Sequence, residues 1–157
     1  MQRFYWLIEG QLAGCSRPSG TRGETADLDA DLARLRDRRI GAVLSLTEEP
    51  LPQDTLDRYG IEALHLPVPD MHALLPDELL IALEFIDRQQ RADRAVAVHC
   101  LMGQGRTGCV LAAYRIRQGS SAEEAIEEVR RLCPGAIESS PQLRALGAFA
   151  AERHWLL

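Results

Sequence analysis

The chain has 157 residues, 46% hydrophobic and 26% charged, with a formal net charge of −5. That length suits one domain with a substantial core, and the acidic balance carries no electrostatic signature of nucleic-acid binding. All 18 basic residues are Arg, no apolar run is long enough to cross a bilayer, and the first ten residues lack the apolar centre of a secretion signal.

The expectation is one cytoplasmic, monomeric domain spanning residues 1–157, with no membrane and no nucleic-acid partner. The four cysteines, Cys15, Cys100, Cys109 and Cys133, form no C-x-x-C pair, and no His stands at metal-ligand spacing to them. Free thiols, no metal and no cofactor are expected.

In chain order, Phe4–Ile8 and Gln11–Ala13 flank a tight turn at Glu9-Gly10 and predict a short hairpin or edge strand. Pro18, Gly20 and Gly23 mark a loop that carries Arg17 and Arg22. These two arginines read as solvated, with a place on the rim of an anion site as the sharper alternative. Leu28, Leu32 and Leu35 predict an amphipathic helix over about 25–38. Ile40–Leu46 reads as a strand buried on both faces. A short helix over about 53–59 leads to a second buried strand, Ile61–Leu66.

Pro67 and Pro69 then exclude a helix or an interior strand, so Asp70 stands on a stiff loop just past a strand end. In sheets flanked by helices, that end is where ligands bind. Leu79, Leu80, Leu83 and Ile86 predict a helix over about 77–90, and Ala95–His99 a central strand. A helix follows from Arg106 onward. Ser121 and Glu124 spell a capping box for the next helix, which Pro134-Gly135 ends. A last helix covers about 141–153. The alternation of strands and helices predicts an α/β domain, a central mostly parallel sheet flanked by helices.

The chemistry concentrates between His99 and Gly108. A strand, a glycine-rich turn and a helix N-terminus make an anion pocket from backbone N–H groups. Gly103 and Gly105 permit positive φ, so the amides of Leu101, Met102, Gly103, Gln104 and Gly105 can converge on a phosphate. Arg106 can hold two phosphate oxygens with its forked guanidinium. Cys100 stands at the entrance, where a helix N-terminus favours the thiolate nucleophile. Thr107 could donate its hydroxyl to that sulfur. His99 faces away from Cys100 and reads as a buried orienting residue. A Cys–His protease pair would need His65, His72 or His154, none of which has a supporting motif.

A leaving alkoxide needs a proton, and Asp70 is the acid of choice. Its competitor Asp77 is accounted for by a helix start. Gln142 could position a hydrolytic water; its bland alternative is a solvated side chain in a first helical turn. Cys109 could trap an oxidised Cys100 as a disulfide, though small helix packing explains it, and Cys15 and Cys133 read as core or loop residues.

The stretch His99-Cys100-x5-Arg106-Thr107 resembles the H-C-x5-R-[ST] signature of cysteine-dependent protein tyrosine phosphatases, and its form resembles the small atypical dual-specificity phosphatases. Gly10-x-Leu12-Ala13-Gly14, Leu44-Ser45-Leu46-Thr47-Glu48, Pro69-Asp70 and Arg130-Arg131-Leu132-x-Pro134-Gly135-x-Ile137-Glu138, followed by Gln142, resemble that subgroup too. The resemblance implies a phosphatase-type fold and a two-step mechanism without metal. It gives Cys100 as nucleophile, Arg106 as phosphate ligand, Asp70 as acid, Thr107 as an aid to thiolate release and Glu138 as a group orienting the loop or Arg106.

The implied substrate is a phosphorylated protein or peptide, with phosphotyrosine first and phosphoserine or phosphothreonine beside it. Phosphoinositides or small phosphorylated metabolites are the alternative, against which the uncharged Leu101, Met102 and Gln104 argue. A phosphopeptide-binding module would not need both Cys100 and Asp70. Persulfide transfer would not explain Arg106-Thr107.

Overall fold

The structure, a computed structural model, describes residues 1–20 and 25–152, without the side chains of Thr25 and Ala26. Arg22 and His154, singled out above, lie outside the described residues. Five strands, β1 (Phe4–Ile8), β2 (Leu12–Cys15), β3 (Ile40–Ser45), β4 (Glu62–His65) and β5 (Ala95–His99), form one sheet in the order β1-β2-β5-β3-β4. β1 and β2 are an antiparallel hairpin, turned at Gly10 with φ +73°, and every other pairing is parallel. The mostly parallel sheet expected from the sequence is the one found.

Among the described residues six helices cover it: α1 (Thr25–Asp37), α2 (Gln53–Arg58), α3 (Pro76–Arg91), α4 (Gly105–Arg117), α5 (Ala122–Leu132) and α6 (Ser140–Glu152). Strand side chains alternate between the two faces. Leu12, Ala42, Leu44, Val96 and Val98 pack with Leu79, Leu83, Ile86, Val110 and Leu111 from α3 and α4. Ala13, Cys15, Ile40, Val43 and Ala97 pack with Leu28, Leu32, Leu35 and Leu56 from α1 and α2. α4 lies in the larger core and is buried from Gly105 to Tyr114. α5 starts with the expected reciprocal cap: Glu124 N donates to Ser121 Oγ at 3.1 Å, and Ser121 N to Glu124 Oε2 at 2.8 Å.

One strand departs from expectation. Ile61–Leu66 reads as a buried strand, yet Glu62 is exposed and Ala63, Leu64 and His65 are half-buried. β4 is the outer strand beyond β3, with no sheet neighbour on its far side. Its apolar run reflects packing at the sheet edge.

The topology sets the site. β3, β4 and β5 run parallel, so their C-terminal ends open on one side of the molecule. There the segments after β3 (Thr47–Pro50), after β4 (Pro67–Leu74) and after β5 (Cys100–Gln104) meet, as ligand sites do in such sheets.

Candidate active site

The turn from Cys100 to Gln104 is held by its carbonyls. Leu101 O accepts from Arg17 N at 3.0 Å, Met102 O from Arg3 Nη1, Gly103 O from Tyr5 Oη at 2.7 Å, and Gln104 O from Ile137 N at 3.2 Å. Among the described residues, the amides of 101–104 donate to no partner. The amides of Gly105, Arg106 and Thr107 open α4, where a helix has no carbonyls to offer them. A run of N–H groups with its carbonyls tied outward is an anion cradle.

Gly103 has φ +74°, and a Cβ there would stand 2.5 Å from Cys15 C and 2.7 Å from Ser16 N. Only glycine lets this turn lie against the end of β2. A Cβ on Gly105 would stand 2.9 Å from Gln142 Nε2 and 3.2 Å from Glu138 Oε1. That is where Glu138 meets the loop; its partner among the described residues is not Arg106.

Arg106 is buried, 2% exposed, and both terminal nitrogens of its guanidinium are engaged. Nη1 donates to Val68 O at 2.8 Å and to Glu48 Oε2 at 3.2 Å, while Nη2 pairs with Asp70 Oδ1 at 3.2 Å. Asp70 thus reaches Arg106 from the loop the sequence marks out. Asp77 lies in the first turn of α3, and among the described residues it makes no ion pair with Arg106.

Glu48 ties the two together. Its Oε1 accepts from Asp70 N at 2.9 Å while Oε2 takes Arg106. Its carboxyl lies below the usual carboxylate range, chiefly through its own backbone amide, with Asp70 N and Arg106 adding to this and burial opposing it. Glu48 enters the sequence reading only as part of a resembling segment. Its place, three residues past the end of β3, was the available signal.

Asp70 itself is held by one oxygen. Oδ1 accepts from Met71 N at 2.9 Å and faces Arg106, which leaves Oδ2 without a partner among the described residues. Met71 adopts φ +61°, a left-handed conformation costing a non-glycine residue about 1 kcal/mol or more. The loop is anchored by buried Val68 and Leu74 at its two ends. Between them, Ser139 Oγ donates to Met71 O at 2.7 Å and Gln142 Nε2 donates to His72 O at 3.2 Å.

Gln142 is fully buried, against the bland expectation of a solvated side chain. Its Oε1 accepts from Glu138 N at 2.9 Å and Ser139 N at 3.1 Å. Arg130 supports the same turn, donating to Ala136 O and Ile137 O at 3.0 Å each. Arg130 enters the sequence reading only within a resembling segment, and Ser139 carries no sequence signal, because each acts through backbone carbonyls.

Behind the cysteine, His99 is fully buried. Nδ1 lies 3.2 Å from Cys100 O, which can only accept, so Nδ1 carries the proton. Burial pushes the imidazole down to about 3, so it is neutral. Nε2 then accepts from the Ser45 hydroxyl at 2.6 Å. His99 therefore braces the peptide of Cys100 from the sheet and stays neutral near pH 7.

The Thr107 hydroxyl is buried with no hydrogen-bond partner among the described residues, so the expected bond to Cys100 Sγ is not formed. Arg17, read as solvated with the rim as the alternative, is half-buried instead. Nη1 donates to Thr47 Oγ1 and Glu49 O at 2.9 Å each, so its charge braces the turn that presents Glu48.

Cys15, Cys109 and Cys133 are buried free thiols around the turn. Burial pushes the Cys109 thiol up to about 12 and raises the other two. Among the described residues no three His, Cys, Asp or Glu side chains converge to hold a metal ion. Nor is any described helix long and apolar enough to cross a membrane.

A mostly parallel sheet ending in a cysteine, an amide cradle and a buried arginine is the arrangement of the cysteine-dependent phosphatases, a class of phosphate-ester hydrolases. The chain belongs to the family described as "Polymorphic toxin system, DSP-PTPase phosphatase", whose model matches residues 13–120. It is a small atypical dual-specificity phosphatase of the tyrosine phosphatase superfamily. The crystal structure of Tk-PTP in the active form superposes with a TM-score of 0.83 at 32% identity, covering 96% of this chain and 99% of that one.

Phosphatidylglycerophosphate phosphatase PTPMT2 of Arabidopsis thaliana is 29% identical over 126 residues, 76% of this chain and 55% of the plant protein. The tyrosine-protein phosphatase CDC14 homolog of Schizosaccharomyces pombe is 37% identical over 82 residues, half of this chain. The chain spans 13% of that protein and 18% of the Emericella nidulans phosphatase cdcA.

Proposed function

We propose that the chain hydrolyses phosphate monoesters through a phosphocysteine on Cys100, acting on phosphotyrosine in proteins. The observation that supports it is the conjunction at one point of free cradle amides, buried Arg106 and Asp70 Oδ1 at 3.2 Å from the guanidinium. A phosphate dianion bound by amides 101–106 takes over Arg106 donors that Glu48 and Asp70 hold in its absence.

In the first step Cys100 Sγ attacks phosphorus. The S–P bond forms, the P–O bond to the leaving group breaks, and the proton on Asp70 Oδ2 passes to the leaving oxygen. In the second step water attacks phosphorus, its proton returns to Asp70 and the S–P bond breaks. Inorganic phosphate and the Cys100 thiolate result. The unpartnered Thr107 hydroxyl donates to the departing sulfur. Gln142 Nε2 spends one N–H on His72 O and keeps the other for the attacking water.

Leu101, Met102 and Gln104 put no cation at the mouth to select a polyanionic head group. The second reading is a phospholipid head group, favoured by the match to the plant PTPMT2 protein over 76% of this chain. A substrate panel decides between them: a phosphotyrosyl peptide, a phosphoseryl peptide, a phosphoinositide and phosphatidylglycerophosphate. The highest kcat/KM is expected for the phosphotyrosyl peptide. A lipid phosphate turned over about tenfold faster would overturn the protein-substrate reading, a difference worth about 1.4 kcal/mol in transition-state binding.

A further inference from the structure

Ser139 stands outside the turn from Cys100 to Arg106, yet it contacts the loop that carries the acid. Its hydroxyl accepts from Gln142 N at 3.4 Å and donates to Met71 O at 2.7 Å. The first contact is the ordinary cap of α6. The second leaves the helix and crosses to a residue 68 positions away in sequence.

Met71 is the residue whose backbone decides where Asp70 points. Its N–H holds Asp70 Oδ1 at 2.9 Å, and it does so from a left-handed conformation with φ +61°. A left-handed methionine does not keep that conformation unaided. Its carbonyl is fixed by Ser139, the next carbonyl, His72 O, by Gln142 Nε2, and the Asp70 amide by Glu48 Oε1. Asp70 and Met71 are both exposed, so little apolar packing competes with these polar tethers.

We infer that Ser139 is a positioning residue for the general acid. By donating to the Met71 carbonyl it fixes the turn whose amide holds Asp70 Oδ1, and so presents Oδ2 to the leaving group. The inference rests on Asp70 being the acid, as proposed above. It makes the start of α6 a clasp on the acid loop, with Gln142 as its second arm.

A cap and a clasp can be separated by chemistry. Ser139→Ala removes both functions. Ser139→Asp keeps an oxygen acceptor for the cap but has no proton to give Met71 O. Ser139→Thr keeps both. The readout is the ratio of kcat on phenyl phosphate, a poor leaving group, to kcat on 2,4-dinitrophenyl phosphate, a good one that needs little protonation.

The ratio is expected to fall about 3- to 10-fold in Ser139→Ala and in Ser139→Asp, the range one neutral hydrogen bond commands, and to hold in Ser139→Thr. In an Asp70→Asn background, Ser139→Ala should change the ratio by less than about 2-fold, because the group it positions is gone. A Ser139→Asp ratio equal to wild type, or an undiminished Ser139→Ala effect in the Asp70→Asn background, overturns the inference and leaves only a helix cap. The acid assignment fails separately, if Asp70→Asn alone leaves the ratio unchanged.

Discussion

Gly103→Ala tests whether the anion cradle exists because only glycine can lie against the end of β2. Two costs add at this position. The left-handed backbone, φ +74°, costs an alanine about 1–2 kcal/mol. The new Cβ also stands 2.5 Å from Cys15 C and 2.6 Å from Cys15 O, main-chain atoms held by pairing of β2 with both β1 and β5. They cannot rotate aside as a side chain would, so overpacking adds about 1–3 kcal/mol.

Gly60→Ala supplies the control, since Gly60 has φ +65° and nothing within 4 Å of its would-be Cβ. Urea unfolding of the two variants should therefore differ by about 1–3 kcal/mol, with Gly103→Ala the less stable. Vanadate affinity should fall in Gly103→Ala and hold in Gly60→Ala, because displacing the turn spreads the amides of 101–105. Equal destabilisation of the two variants, or intact vanadate binding in Gly103→Ala, refutes the steric argument.

Two further outcomes concern pH. His99 is pushed by burial from 6.5 down to about 3, so the unfolded chain binds a proton that the folded one refuses between these values. Its stabilisation is present above pH 6.5 and is lost as pH falls toward 3, so wild type should lose stability relative to His99→Gln between pH 7 and 5 in urea titrations; parallel curves would contradict a neutral, braced imidazole. Glu48 is held below its ordinary 4.5, first by its own backbone amide and then by Asp70 N and Arg106. Its contribution is present above pH 4.5 and lost below it, so the stability gap between wild type and Glu48→Gln should close on acidification; a gap that widens instead would show that Glu48 is not held as a carboxylate.

The sheet was readable because its pattern is strong: β5 falls on the Ala95–His99 run, and β1 on Phe4–Ile8, with no shift of boundary. β4 misled because four apolar or small residues at a sheet edge look like a buried strand, and nothing local says which strand is outermost. Within the site, Cys100 and Arg106 stand out in the sequence by residue type and spacing and Asp70 by its place between prolines and a strand end, and the structure brings Arg106 and Asp70 to 3.2 Å.

Glu48, Arg17 and Ser139 do not stand out in this way. Glu48 and Arg17 matter through contacts 58 and 30 residues away, and Ser139 through a carbonyl, which any residue could supply. Thr107 directly follows Arg106 at the end of the turn, yet its hydroxyl has no partner among the described residues. Sequence spacing gives proximity and leaves rotamer and occupancy open.

The central claim is that phosphate passes through Cys100. Rapid acid quench of the enzyme turning over a labelled aryl phosphate, followed by mass spectrometry of the peptide containing Cys100, measures this directly. Up to one phosphoryl group per chain is expected on Cys100 Sγ, accumulating further when Asp70→Asn slows its hydrolysis, with neither label nor turnover in Cys100→Ser. Turnover by Cys100→Ser near the wild-type rate, or label on another side chain, would contradict it.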